Sequence, residues 1–153
     1  MSWLAAERPF AKLPASQCPQ TGDAHDARFL RMRLEQLRTD TAANLWLVRA
    51  VVLRKDSARQ LIGHVGFHGP PKDNAAELGY TIFLPHRRHG HATEAVIGLM
   101  DWARGRGVER FILSIAPSNA PYLSVARRLG FKRVGRQIDE EDGLEYVFEL
   151  KAT

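Results

Sequence analysis

The six residues Arg87-Arg88-His89-Gly90-His91-Ala92 stand where an alternating apolar segment gives way to a helical one, and that placement suits an anionic ligand. The first backbone N–H groups of a helix have no internal acceptor, and the helix dipole adds partial positive charge there. Gly90 and the small Ala92 let a ligand come close to the backbone, while Arg87 and Arg88 bring full charges. Physically this is a cradle for a diphosphate. It is not a Walker loop, which ends in Gly-Lys-Ser/Thr, and it is not a G-x-G-x-x-G turn. His86, His89 and His91 raise the alternative of a metal site. Two arginines interleave them, and one turn rarely supplies a closed tetrahedral set. They are therefore read as phosphate-facing or solvated, and no metal is expected. His64 and His68 share a strand face with Gly66 and are candidates to line an acceptor pocket.

The chain has 153 residues, 44% hydrophobic and 25% charged. That is an ordinary globular balance, and the length fits one domain spanning residues 1–153. Cys18 is the single cysteine, which excludes an internal disulfide and a cysteine zinc cluster. It is read as an incidental thiol in a Pro-rich stretch rather than a nucleophile. No apolar run reaches membrane-spanning length. The first residues, interrupted by Pro9, Lys12 and Pro14, lack the apolar core of a signal peptide, so a cytoplasmic protein without a membrane partner is expected. The net charge of +5 is unevenly spread. Residues 86–133 carry nine Lys/Arg against three Asp/Glu, and residues 134–153 carry two against six. A positive middle fits a phosphorylated small molecule, a nucleic acid or merely a solvated basic face. Charge alone does not choose.

The elements that must position the turn can be read from periodicity. Residues 1–22 form an irregular arm with room for one short strand. Residues 23–40 are helical, capped by Asp23. Strands are expected at Leu45–Leu53, Leu61–His68, Ala76–Leu84, Phe111–Ile115, Val134–Ile138 and Leu144–Leu150. One helix runs from Thr93 to Arg104, with Val96, Leu99, Met100 and Ala103 as its apolar stripe. A second opens at Asn119, with Pro121 in its first turn, and ends at Gly130. Trp46 and Trp102 fit core packing. The order predicts an α/β (α+β) domain with a central sheet and helices on both faces.

With these residues on the page, the chain resembles the GNAT acetyltransferases. Arg-x-x-Gly-x-Ala between a strand and a helix is similar to the motif by which that family holds the pyrophosphate of CoA. Glu77-Leu78-Gly79-Tyr80 and Ala92-Thr93-Glu94-Ala95 look like the RimJ/RimL-like, ribosomal-protein branch. Asn119 followed by Leu129-Gly130-Phe131 matches a later segment of the family. The resemblance covers about residues 60–150. It implies a mixed, mostly antiparallel sheet whose strands splay at the cofactor. It implies acetyl-CoA as co-substrate, held by Arg87, Arg88, His89, Gly90, His91, Ala92 and Thr93. Thr81, Ile82 and Phe83 would pair by backbone with the pantetheine arm. Asn119 would meet the pantetheine or acetyl end, and Arg127 or Arg128 the adenosine phosphate. A small-molecule or peptide amine would accept the acetyl group in a ternary complex, and dimers are common in the family.

The chain also departs from its relatives. Many place a tyrosine seven residues after the Asn as acid to the thiolate, and here that position is Ala126. The RimJ/RimL-like branch often uses a serine three residues after it, and here that position is Tyr122. Positions 122 and 126 share one helix face, so Tyr122 is the candidate acid, against the alternative of a buried core tyrosine. The family's carboxylate five residues before the Asn is Ser114 here, which leaves Glu77 as candidate base, acting through water, against a merely solvated strand residue. These departures keep a second reading open, an acyl-CoA-binding sensor without catalysis. A third, nucleic-acid binding by the basic middle, lacks any recognised motif. Ser124 reads as helix surface. Asp139, Glu140, Glu141, Asp142 and Glu145 read as a charged hairpin turn rather than the wall of a cationic acceptor site.

Overall fold

A computed structural model describes residues 5–9, 24–40, 42–55 and 58–152. Cys18, Asp23 and most of the expected irregular arm lie outside the described residues. The elements are β1 (Ala5–Pro9), α1 (Ala24–Thr39), β2 (Arg49–Lys55), β3 (Ala58–Phe67), β4 (Ala75–Ile82), α2 (His91–Arg104), β5 (Arg110–Ile115), α3 (Ala120–Arg128), β6 (Lys132–Asp139) and β7 (Gly143–Lys151). The strands form one seven-stranded sheet in the order β1-β2-β3-β4-β5-β7-β6. Every neighbouring pair is antiparallel except β4 and β5. A parallel pair needs a crossover, and α2 supplies it. The mixed, mostly antiparallel sheet expected from the sequence is therefore present.

The parallel pairing is short. Ala75, Ala76 and Glu77 register with Arg110, Phe111 and Ile112. Beyond them β4 runs on to Ile82 and β5 to Ile115 with no mutual register, so the two strands splay apart. β4 keeps its antiparallel ladder with β3 through Ile82, which holds it straight while its other edge opens.

Two helices sit on opposite faces. Directly opposed residues of an antiparallel pair share a face. His64 opposes Thr81, and Phe29 of α1 stacks on His64 with ring centroids 5.2 Å apart. Phe67 opposes Leu78 on the other face, where Trp102 of α2 stacks on Phe67 at 6.5 Å. Trp46 meets Trp102 edge-on at 5.0 Å, which accounts for both tryptophans as packing residues. The core is centred on Phe67, Phe111, Ile62, Leu78, Leu99 and Leu113, all fully buried. Each contributes about 1.5–3 kcal/mol through apolar burial.

Several boundaries differ from the sequence reading. β2 begins at Arg49 rather than Leu45, because Ala42–Leu45 forms a 3₁₀ turn ahead of it, and β4 ends at Ile82 rather than Leu84, where another 3₁₀ turn begins. β2 and β3 pair out to Lys55–Ala58, because backbone pairing continues through polar residues at the solvent end of the hairpin. α2 begins at His91 rather than Thr93, since Gly90 adopts the cap position. β6 covers Lys132–Asp139 and is exposed almost throughout, as expected of an edge strand, so its apolar pattern carried little signal.

Gly66 marks a close crossing. A Cβ there would come within 2.8 Å of both the Leu47 carbonyl oxygen and Val48 Cα. Both contacts are backbone and cannot step aside. Gly66→Ala is expected to destabilise the protein by about 1–3 kcal/mol, the usual range for overpacking. Urea unfolding reads this directly, and an unchanged midpoint would contradict the packing.

Candidate active site

The splay between β4 and β5 opens a cleft of about 880 Å³, lined by the end of β4, the turn before α2, the first turn of α2 and one face of α3. Along β4 the hydrogen-bonding direction alternates. His68 donates to the Glu77 carbonyl and Phe83 donates to the Ile62 carbonyl, so odd-numbered residues direct their backbone toward β3. The backbone groups of Tyr80 and Ile82 consequently face the opening. The Thr81 and Phe83 backbone was expected to meet a pantetheine arm. Alternation turns both toward β3, and Phe83 does not line the cleft, although Thr81 does.

After β4 the chain makes a short 3₁₀ turn at Leu84–His86. Arg87 Nε donates to the Ile82 carbonyl at 2.7 Å and ties the turn back onto the strand. Arg88 and Gly90 have φ of 65° and 84°, a left-handed region that costs a glycine nothing and a side chain something. These angles swing the chain into α2. Glu94 N–H bonds the Gly90 carbonyl, so the N–H groups of His91, Ala92 and Thr93 precede the first intrahelical bond. Arg87, Arg88, Gly90, His91, Ala92 and Thr93 all border the cleft. His89 does not, and its ring stacks on His91 at 5.6 Å. The space a Cβ would take at Gly90 is open to beyond 4 Å. A backbone turn at a helix N-terminus, with no side chain over Gly90, fits a pyrophosphate.

From the far side α3 presents Pro121, Tyr122, Ser124, Val125 and Arg128, residues three and four apart along one face. Asn119 lines the cleft and accepts from Tyr122 N–H at 3.2 Å, acting as the helix cap. Arg127 points away from this face, because one residue turns the helix by about 100°. Arg128 is therefore the arginine at the cleft. Ser124, read as helix surface, is exposed but opens onto the cleft. Helical spacing from Asn119 was the signal that would have found both.

Tyr122 stacks on Tyr80 with ring centroids 4.3 Å apart. Its hydroxyl lies close to the Tyr80 backbone N–H. Burial pushes the phenol well above its ordinary range, the Tyr80 N–H opposes this, and the nearby charges of Glu77 and Glu145 push it further up. The phenol is thus a proton donor at neutral pH. Ala126, one turn further along the helix, is fully buried. Tyr80 was read in the sequence only as part of the Glu77–Tyr80 segment and not as a site residue, since only the strand register shows which backbone groups face the gap.

On the opposite face of β4 lie His68 and Glu77. Glu77 Oε1 is 3.7 Å from His68 Nδ1. Ser114, at the position of the family's carboxylate, receives the Gln137 side-chain amide at 3.1 Å. Gln137 also donates to Glu145 at 3.0 Å. In the acidic hairpin, Asp139 accepts from the backbone N–H groups of Glu141 and Asp142, and Glu141 pairs with Arg28. Asp139 is committed to shaping the turn, as the plain reading of this segment expects.

His64 lies beneath α1 and is 3% exposed. Burial, reinforced by the Arg33 charge, lowers its pKa from 6.5 to about 4. Between those values the unfolded chain binds a proton that the folded chain does not. Stability should therefore fall as pH drops through this window, by roughly 3 kcal/mol from this group. Urea unfolding at neutral and at acidic pH measures it, and His64→Asn should flatten the difference. A wild-type profile that His64→Asn leaves unchanged would contradict the assignment.

Comparison with known proteins agrees with this geometry. Residues 2–132 match the acetyltransferase (GNAT) domain family. The chain therefore belongs to the GNAT acetyltransferase family. It is 31% identical over 83 residues to an uncharacterized N-acetyltransferase, YjdG, of Bacillus subtilis, across 53% of this chain and 49% of that one. It thus spans about half the length of that curated relative. Among solved structures it superposes on a ribosomal-protein-alanine N-acetyltransferase from Brucella melitensis with a TM-score of 0.60 and 19% identity, covering 82% of this chain and 78% of that one. It superposes on the microcin C7 self-immunity acetyltransferase MccE, solved with acetyl-CoA and AMP, with a TM-score of 0.65 and 17% identity, covering 86% and 73%. At these identities the two structures speak for the fold. Among the described residues, no helix is long and apolar enough to cross a membrane, and no group of three or more His, Cys, Asp or Glu is placed to hold a metal ion.

Proposed function

We propose that the protein is an acetyl-CoA-dependent N-acetyltransferase that moves an acetyl group to a primary amine, by direct transfer in a ternary complex. The observation that carries this reading is the register of β4. Tyr80 and Ile82 turn their backbone toward the splay rather than toward β3, with the Ile82 carbonyl taken by Arg87, and the Gly90 turn stands at one end of it. An extended amide-bearing arm can pair with that strand edge while its diphosphate rests on the first turn of α2. The Ile82 N–H is available to polarise a thioester carbonyl. Tyr122 protonates the departing sulfur, and Glu77 supplies negative charge on the acceptor side. The residues described fold as a single acetyltransferase domain.

The Glu77-Leu78-Gly79-Tyr80 segment and the likeness to a ribosomal-protein-alanine N-acetyltransferase support membership of the RimJ/RimL-like branch. The acceptor is then a small-molecule or peptide amine.

Initial rates of thiol release, with acetyl-CoA and an amine both varied, test this. Intersecting double-reciprocal lines are expected. Parallel lines would point to an acetyl-enzyme and overturn direct transfer. Tight CoA binding without turnover of any amine would favour a non-catalytic acyl-CoA sensor, the reading that the absent carboxylate at Ser114 keeps distinct.

A further inference from the structure

We propose that His68, held in position by Glu77, takes the proton from the attacking amine beside the bare backbone of Gly79. The inference rests on the acetyl-transfer reading above and assigns the acceptor side of that site.

Gly79 carries the geometry. A Cβ at this position would stand 3.2 Å from His68 Nε2 and 3.9 Å from Tyr122 Oη. A group from the end of β3 and a group from α3 therefore come close to one residue of β4. A side chain there would crowd the imidazole, so glycine lets His68 Nε2 lie close against the strand backbone, with the Tyr122 hydroxyl beside the same residue. Glu77 Oε1 sits behind the imidazole, 3.7 Å from Nδ1. That separation is an electrostatic contact rather than a hydrogen bond. Contacts of this kind are often long before substrates bind. A proton on Nδ1, facing the carboxylate, leaves the Nε2 lone pair toward Gly79. The His68 side chain is 48% exposed, so an acceptor can reach it.

The charged and titratable groups facing His68 come from four elements. Glu77 stands on β4, Arg33 on α1, Asp139 at the end of β6, and the Tyr122 hydroxyl on α3. Burial lowers the imidazole pKa most, Glu77 raises it, Arg33 lowers it and Asp139 raises it, with a net fall below 6.5. The ring is neutral at pH 7 and able to accept.

The step balances. The amine, having lost to solvent any proton that makes it ammonium, attacks the thioester carbonyl carbon. The N–C bond forms and the C–S bond breaks. One proton passes from nitrogen to His68 Nε2, and Tyr122 gives its proton to the sulfur. The imidazolium then returns a proton to the tyrosinate across Gly79. Amide and free thiol leave with both side chains restored.

The experiment uses the whole chain, acetyl-CoA, and the best-used member of a fixed amine panel: spermidine, tyramine, L-lysine and an Ala-initiated peptide. The quantity read is kcat against pH. Wild type should lose kcat on the acid side with a midpoint below 6.5. His68→Gln should lower kcat by about 10²-fold, the usual worth of a positioned base, and abolish that limb without altering acetyl-CoA affinity. Added imidazole should partly restore His68→Ala. Glu77→Gln removes a charge that raises the imidazole pKa, so its acid limb should move to lower pH. If His68→Gln keeps both the rate and the limb, the inference fails while the acetyltransferase reading stands. An unmoved limb in Glu77→Gln overturns the pairing. If wild type transfers acetyl to no amine, the functional reading fails and this inference fails with it.

Discussion

Tyr122→Phe is expected to lower kcat by about 10²–10⁴-fold, the range for losing a positioned general acid, with acetyl-CoA affinity retained. The ring, not the hydroxyl, carries the packing. It stacks on Tyr80 at 4.3 Å, and Phe keeps that contact. Only the proton donor next to the Tyr80 N–H and the Gly79 face is removed. A structural tyrosine would behave oppositely, with turnover near wild type and some loss of stability. Steady-state kinetics beside calorimetric titration with acetyl-CoA separates the two. Unaltered kcat would remove Tyr122 from the chemistry and return attention to backbone donors and solvent as the source of the proton.

Gly90→Glu should weaken CoA binding by about 10²-fold or more, the scale of several lost charge-assisted hydrogen bonds. The new side chain starts in open space, so no neighbour is displaced. A residue with a Cβ at φ 84° costs roughly 1–2 kcal/mol. A carboxylate at a helix N-terminus partly offsets that cost. The fold should survive while the carboxylate occupies the position that suits a phosphate. The melting temperature reads this, because a ligand that binds only the folded state raises it. At a CoA concentration near the wild-type Kd, CoA should raise the wild-type transition and that of Gly90→Glu by far less. An equal rise in both would place the diphosphate elsewhere.

The family and the turn were legible in the sequence because both are local. Arg87–Ala92 between a strand and a helix announces an anion cradle from six adjacent residues. The apolar alternation of β5, with Phe111, Leu113 and Ile115 buried, announces a core strand in the same way. What could not be read is set by register and by contacts between distant elements. Whether Thr81 or Ile82 faces the gap depends on which partner strand takes the odd-numbered amides, and β3 settles it. The His68–Glu77–Gly79–Tyr122 arrangement joins β3, β4 and α3, and no spacing within one segment encodes it. Arg127 and Arg128 look equivalent in sequence, and one helical step separates the cleft from solvent. The edge strand β6, exposed on both faces, gave the faintest signal of all.

The most direct test of the central claim is to map backbone amide shifts of the 17.2 kDa protein as acetyl-CoA is added. The largest changes should fall at Tyr80 and Ile82, at Gly90–Thr93, and along the Ser124–Arg128 face of α3, with β1 and β2 unmoved. That pattern would seat acetyl-CoA in the β4–β5 splay. Changes confined to other surfaces, or none from a folded protein at saturating acetyl-CoA, would contradict it.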